Sequence, residues 1–254
     1  MGVLPGHRML WIEGHPAVEG LAHPATLAEA ARDVLGAVGE LGFPLGRDAG
    51  VARADGTVTL AFVEGHQGLA VLQGVAALDF PRSMPVVWGH PPQTVYIANE
   101  SGRGMKARVY DKAVEALSGH PGTLVRFENQ ARYDKSLRRA VEEVDLPHVR
   151  DRFQTRFGPL AKSAAGLTVA SLPVIAARVH ERIMAGEVPR REAERLLGFM
   201  ALHQAGDRGY PRRTMFRRRR ELRDRGLVLA DDFFEPVEVN LGETIEAALA
   251  AWDS

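Results

Sequence analysis

The sequence predicts an α+β fold: an antiparallel sheet with helices on one face, followed by a helical, winged-helix-like domain rich in arginine. Three observations carry the prediction. Residues 106–112 and 124–132 alternate in polarity with the two-residue period of a strand, and Ser118-Gly-His-Pro-Gly122 supplies turn residues between them, so the pair reads as a hairpin. Val51 to Phe62 alternates in the same way, with Ala52, Ala54, Val58, Leu60 and Phe62 on one face and Arg53, Asp55, Thr57 and Thr59 on the other. From residue 171 onward the apolar residues recur at helical spacing instead, and arginine accumulates.

The chain has 254 residues, 45% apolar and 25% charged, which suffices for one large or two modest domains with a real core. It has no cysteine, which excludes a disulfide framework and thiolate metal sites. No apolar run approaches the ~18 residues of a membrane span, and the amino terminus lacks a signal-peptide pattern, so a cytoplasmic protein is expected, without a membrane partner.

Along the chain, Met9-Leu-Trp-Ile12 reads as a first short strand, and Gly, His and Pro crowd a loop over 14–24. Thr26 and Glu29 form a capping box, and Leu27, Ala30, Ala31, Val34, Leu35 and Val38 continue a helix until Gly42 and Pro44. A second helix is expected over 66–78, then a Pro-rich loop from Pro81 to Pro92 and a strand at Thr94-Val-Tyr-Ile-Ala98. After Tyr133, Asp134 caps a helix through Val144, and Pro147 opens another containing Val149, Phe153 and Phe157. Gly158 to Gly166 reads as a linker, which gives domains over 1–158 and 166–254.

Two amphipathic helices follow, over 171–186 and 189–204, with Leu196, Leu197, Phe199 and Met200 as core. Thr214 is expected to cap a third, in which Phe216, Leu222 and the Arg219 stem lie inward while Arg217, Arg218, Arg220 and Arg223 stay exposed. Gly226 stops it, Leu227-Val-Leu229 begins a wing, and Leu241 to Trp252 forms a last helix. Net charge is zero, yet residues 178–226 hold 14 Arg against 7 Asp/Glu, and residues 231–254 hold 7 Asp/Glu with no Lys or Arg. The basic block suits a polyanion, and the acidic end either screens it within the chain or limits indiscriminate binding.

The hairpin faces carry the chemistry. One side of the first strand presents Lys106, Arg108, Tyr110 and Lys112, and one side of the second presents Arg126, Glu128, Gln130 and Arg132. With Arg53 and Asp55 from the earlier strand, the open side of the sheet would gather two carboxylates, Asp55 and Glu128, among cations. That set suits a hard divalent cation, Mg or Mn, bridging to phosphate oxygens. Free tyrosine, with a pKa near ~10, is a poor nucleophile, and neighbouring cations or a metal-polarised target would be needed to activate Tyr110. Tyr96 competes for that role. Taken singly, each charged residue also suits a solvated cross-strand pair, and a tyrosine in a strand suits packing. The histidines at 15, 23, 66, 90 and 120 sit beside Gly or Pro in apparent loops, without metal-ligand spacing.

The stretch Thr94-Val-Tyr96, then Arg108-Val-Tyr110-Asp-Lys112-Ala-Val-Glu115, then Arg126-Phe-Glu128 through Arg132, preceded by Arg53-Ala-Asp55, resembles the core of rolling-circle replication initiators of plasmids and filamentous phages. That family carries R-x-D, T-x-Y-x-G-S, R-x-Y-D-K-x-x-E and R-x-E in this order, and the resemblance covers roughly residues 50–139. It implies a relaxase-like initiator fold and a metal-dependent enzyme that nicks and rejoins one DNA strand at an origin. Carried over by position, Tyr110 is the nucleophile and Asp55 and Glu128 are metal or acid/base carboxylates. Lys112 assists catalysis and faces the phosphate, and Arg108 faces the phosphate as a DNA-binding residue, with Arg53, Arg126, Arg217, Arg218, Arg220 and Arg223. Single-stranded and duplex origin DNA are the implied partners, with a host helicase and polymerase, in a bacterial cytoplasm. The sequence departs from the pattern where Ala98-Asn99 replaces Gly-Ser, and it lacks a His-hydrophobic-His pair, leaving His66 or His90 to complete a metal set. A non-catalytic replication or transcription regulator on the same fold is the alternative expectation, and a structural interaction module a third.

Overall fold

The computed structural model forms the expected hairpin, with residues 106–111 paired antiparallel to 125–130. The model describes residues 2–3, 10–11, 50–51, 53–78, 85–89, 92–97, 106–115, 120–132, 139–140, 146–205, 209, 211–230 and 236–251. The structure is α+β, and the chain divides into two compact units. One comprises residues 1–54 and 132–151, the other residues 55–131 and 152–254. In the first unit, β1 (Gly2–Val3) pairs antiparallel with β2 (Leu10–Trp11), and β3 (Gly50–Val51) with β9 (Arg139–Ala140). A strand at Arg139–Ala140 breaks the helix expected from Asp134 to Val144. The helix expected from Thr26 lies outside the described residues.

A five-stranded sheet organises the second unit. Its strands are β4 (Arg53–Ala61), β5 (Pro85–Trp88), β6 (Thr94–Ile97), β7 (Lys106–Asp111) and β8 (Leu124–Arg132), in the order β4-β8-β7-β6-β5. β5, β6, β7 and β8 pair antiparallel in succession. The Phe62 amide donates to Thr123 O at 2.8 Å, and Arg126 Nε donates to Thr59 Oγ1 at 2.9 Å. These two contacts run β4 antiparallel to β8. Period-two alternation then sorts the side chains: Val58, Val95, Val109, Val125 and Phe127 enter the core, while Thr59, Thr94, Arg108, Tyr110, Arg126 and Glu128 take the other face. β5 was expected as part of a loop; Val86, Val87 and Trp88 give it strand propensity, and Pro85 sits at its first residue, where a missing amide is tolerated.

Helices cover the apolar face. α1 (Gly65–Ala77) packs Ala70, Val71, Leu72 and Val75 into the same cluster as Phe127. A one-turn α2 (Lys112–Glu115) follows β7, and α3 (Leu146–Ala164) brings Phe153 and Phe157 to the core. The Phe127 and Phe157 rings meet edge to face at 5.6 Å, the T-shaped geometry aromatic quadrupoles favour. Close backbone approach explains why α1 starts with glycines. A Cβ at Gly68 would lie 1.9 Å from Gly122 O, and one at Gly122, whose φ is +78°, would lie 1.9 Å from Gly65 O.

The remainder builds a three-stranded sheet and three helices. β10 (Thr168–Ala170) is central, parallel to β11 (Leu227–Leu229) and antiparallel to β12 (Glu238–Asn240). Between β10 and β11 run α4 (Leu172–Met184), α5 (Arg190–Gln204) and α6 (Arg212–Arg223), and α7 (Leu241–Ala250) follows β12. A parallel pair needs a long crossover, and three helices supply it. Leu227–Leu229 is therefore a strand, as expected, but it does not lead into a hairpin wing. Leu196, Phe199 and Met200 form the expected core with Ile175 and Leu222, and Leu197 packs against it.

The expected linker is where the structure differs most. Gly158 lies inside α3, which continues to Ala164, and one hydrophobic cluster unites Val58, Val109 and Phe127 with Val228, Val239, Leu241 and Ile245. Burial of these carboxy-terminal residues against α1 and the sheet's apolar side removes the division between 158 and 166. Among the described residues no helix is long and apolar enough to cross a membrane.

Candidate active site on the sheet face

Two rows of side chains cross the polar face. Register places Thr94 opposite Tyr110 and Tyr110 opposite Arg126, and in the next row Tyr96 opposite Arg108 and Arg108 opposite Glu128. The Tyr110 hydroxyl donates to Glu128 Oε2 at 3.1 Å, Arg108 donates to the same oxygen at 2.9 Å, and Gln130 Nε2 donates to Oε1 at 2.6 Å. The Arg108 guanidinium also stands 4.3 Å from the Tyr110 ring centroid, a cation–π distance. Tyr110 is only 3% exposed and Glu128 4%.

Charge at the site follows from this packing. Burial pushes the Tyr110 phenol up, the Glu128 charge adds to it, and Arg108 and Arg126 pull the other way, leaving it at about 12. Burial alone would also raise the Glu128 carboxyl, but hydrogen bonds from Arg108 and Gln130, the Arg108 charge and the Tyr110 hydroxyl outweigh it and hold the group below the usual carboxylate range. Burial works against the Arg108 charge, and the hydrogen bond and charge of Glu128 overcome it, so the guanidinium stays firmly protonated.

Other expected residues are placed differently. Lys112 does not continue the strand: it begins α2 and pairs with Glu115, 3 residues on. The reason is Asp111, whose buried Oδ1 accepts from the Ala113 and Val114 amides at 3.0 and 3.3 Å, and whose Oδ2 accepts from Gly122 at 2.6 Å. It caps α2 and ties it to the hairpin turn, a role the alternating pattern does not reveal. Asp55 is exposed on β4 and Arg53 half-buried two residues before it. Tyr96 is half-buried, and among the described residues its hydroxyl has no hydrogen-bond partner. His66 opens α1, on the sheet's apolar side, with Nε2 2.8 Å from Glu64; His90 and Ala98-Asn99 lie outside the described residues.

The fit to a divalent cation is partial. Asp55 is an exposed hard donor. Both Glu128 oxygens already accept hydrogen bonds, so an ion there would have to displace Arg108, Tyr110 or Gln130.

The basic helix divides its arginines between packing and solvent. Arg213, Arg217 and Arg220 are exposed, at helical spacings of 4 and 3 residues along one side of α6. Arg218, expected outside, is 8% exposed and donates to Glu221 at 2.7 Å, and Arg223 donates to Ala77 O at 2.9 Å. The helix starts at Arg212 behind Pro211 and not at a Thr214 cap, and Phe216, expected inside, is 58% exposed, because Leu222, buried as expected, lies six residues on and on another side of the helix, whereas Arg218 lies four residues before it on the same side. From the acidic end, Glu238 pairs with Arg178, so the two charge blocks screen each other at that point.

Compared with protein-family models, with curated proteins and with solved structures, the chain has no match.

Proposed function

We propose that the chain is a DNA strand transferase of the rolling-circle initiator kind, with Tyr110 as nucleophile and Glu128 as the base that receives its proton. The observation that carries this is the 3.1 Å hydrogen bond from Tyr110 to Glu128, itself oriented by Arg108 and Gln130. A nucleophile, a base in hydrogen-bond reach and a third group that positions the base are the parts such chemistry needs. In the step, the phenol oxygen bonds to phosphorus, the P–O3′ bond breaks, and the phosphate keeps its 5′ linkage. The phenol proton passes to Glu128 and is then available to the departing 3′ oxygen. Arg108 and Arg126 flank Tyr110 and offset the charge that gathers on the phosphoryl oxygens. Asp55 is the carboxylate assigned to a divalent ion, which would neutralise non-bridging oxygens. Arg217 and Arg220 would hold duplex or single-stranded phosphates without reading sequence. The setting is a bacterial cytoplasm, with a host helicase and polymerase taking over the opened strand.

A second reading is favoured by one observation: Tyr110 is 3% exposed with its phenol at about 12, as in a packing residue. On that reading the protein binds DNA and regulates replication or transcription without cutting it. Incubation with single-stranded circular DNA of its own replicon, with Mn²⁺ or EDTA, followed by a denaturing gel and peptide mapping, separates the two. A 5′ adduct on Tyr110, lost in Tyr110→Phe, is the expected result. An adduct on Tyr96 would keep the activity and move the nucleophile. DNA binding with no cleavage under either condition would leave the regulator.

A further inference from the structure

We propose that Trp88 is a stacking platform for a base of single-stranded nucleic acid lying across the polar face of the sheet. Trp88 ends edge strand β5 and is 65% exposed, a large apolar surface to leave in water. Its direction is fixed by register. Trp88 stands opposite Thr94, Thr94 opposite Tyr110 and Tyr110 opposite Arg126, so the indole shares a face and a row with the proposed nucleophile. At ~4.8 Å per strand, Trp88 and Tyr110 are about 10 Å apart across the sheet. That is about three nucleotides at the ~3.4 Å rise of a stacked strand, and fewer if the strand is extended.

The occupant follows from the company the ring keeps. Arg126, in the same row, adds positive charge to this face, which suits a phosphate backbone, and any base offers a π-face to an indole whatever its sequence. A duplex keeps its bases stacked inside and has nothing to lay on Trp88. A second copy of the chain pairing along β5 is the competing occupant, because Val86 and Val87 are exposed there too. Such pairing uses backbone amides and carbonyls, however, and does not need an indole on the face that carries Tyr110.

The inference rests on the polynucleotide reading of the site but not on cleavage, and the test keeps them apart. Full-length Tyr110→Phe protein in EDTA is titrated with a single strand of roughly 16 nucleotides and with the same sequence as duplex, following tryptophan emission and anisotropy. Single-strand binding is expected to quench emission, with the quench lost in Trp88→Phe while affinity stays within about threefold, since phenylalanine keeps a π-face. Trp88→Ala should bind the single strand roughly tenfold more weakly, with duplex binding unchanged. An undiminished quench in Trp88→Phe, an unaltered single-strand affinity in Trp88→Ala, or a dimer by light scattering that Trp88→Ala turns to monomer without affecting DNA binding would each overturn it. Cleavage by protein whose Trp88→Ala variant binds normally would sink the platform alone; Trp88-dependent binding without cleavage would sink the strand-transfer reading alone.

Discussion

Glu128 and Arg108, directly opposite each other on neighbouring strands, form an ion pair of 2.9 Å whose carboxylate side chain is only 5% exposed. Such a pair is costly to break from one side, because the surviving charge is left buried. Glu128→Gln should therefore lower the free energy of unfolding at neutral pH by about 3 kcal/mol. The pH dependence has a definite sign. The folded carboxyl lies below its ordinary value of 4.5, so its stabilisation is present above that value and disappears as pH falls through the folded value. Urea melts across the acid range should show wild type losing stability below pH ~4.5 and the Gln variant losing less.

Tyr110 gives the opposite dependence. Its phenol is pushed up from 10.0 to about 12, so the contribution is complete below pH 10 and is lost as pH rises toward 12. A near-UV absorbance titration should show a late-ionising phenol, and Tyr110→Phe should remove that late phase. If the late phase survives in the variant, the burial of this hydroxyl is not what sets its proton affinity.

Two glycines with similar backbone should respond very differently to alanine. Gly122 has φ +78° and a Cβ there would meet Gly65 O at 1.9 Å, whereas Gly166 has φ +71° and open space around it. Gly166→Ala should cost only the left-handed penalty, about 1–2 kcal/mol. Gly122→Ala must also push α1 from the hairpin turn and should cost more than ~3 kcal/mol, read as a shift in denaturation midpoint.

The arginines of α6 separate into two kinds by the same pair of assays. Arg217→Ala, an exposed change, should leave the melting temperature alone and reduce the slope of log affinity against log salt for DNA by about 0.7–0.9. Arg223→Ala removes the hydrogen bond to Ala77 O and should cost about 1 kcal/mol of stability.

How much of this could be read from the residues depends on the range of the interaction. Alternation across 106–111 and 124–132 fixed which side chains share a face, and it placed Arg108, Tyr110, Glu128 and Gln130 together correctly. It could not end the first strand at Asp111, because that ending depends on hydrogen bonds to Ala113, Val114 and, 11 residues away, Gly122. Lys112 was misplaced for that reason. Helical spacing located α4 and α5 and their core, yet in α6 the inward side was assigned to both Phe216 and Leu222, which lie six residues and about 120° apart on a helix; buried Leu222 takes Arg218, four residues before it, inward and leaves Phe216 outside. Trp88 was hidden by its surroundings: prolines and glycines around a four-residue edge strand look like loop. Glycines at 158 and 166 suggest a linker, but the apolar residues that close the shared core, from Val228 to Ile245, lie 170 or more residues from Val58, beyond the reach of any local pattern.

That shared core, with Arg223 bonded to the end of α1, would make any engagement of a nucleic acid by both surfaces a matter of distance as much as of affinity. Contacts on the sheet and contacts on α6 belong to one compact unit, not to modules on a tether. A polymer that engaged both would be measured as by a caliper. Its footprint would have one length, and inserting or deleting nucleotides between the two contact points would abolish joint engagement instead of being absorbed by a flexing joint.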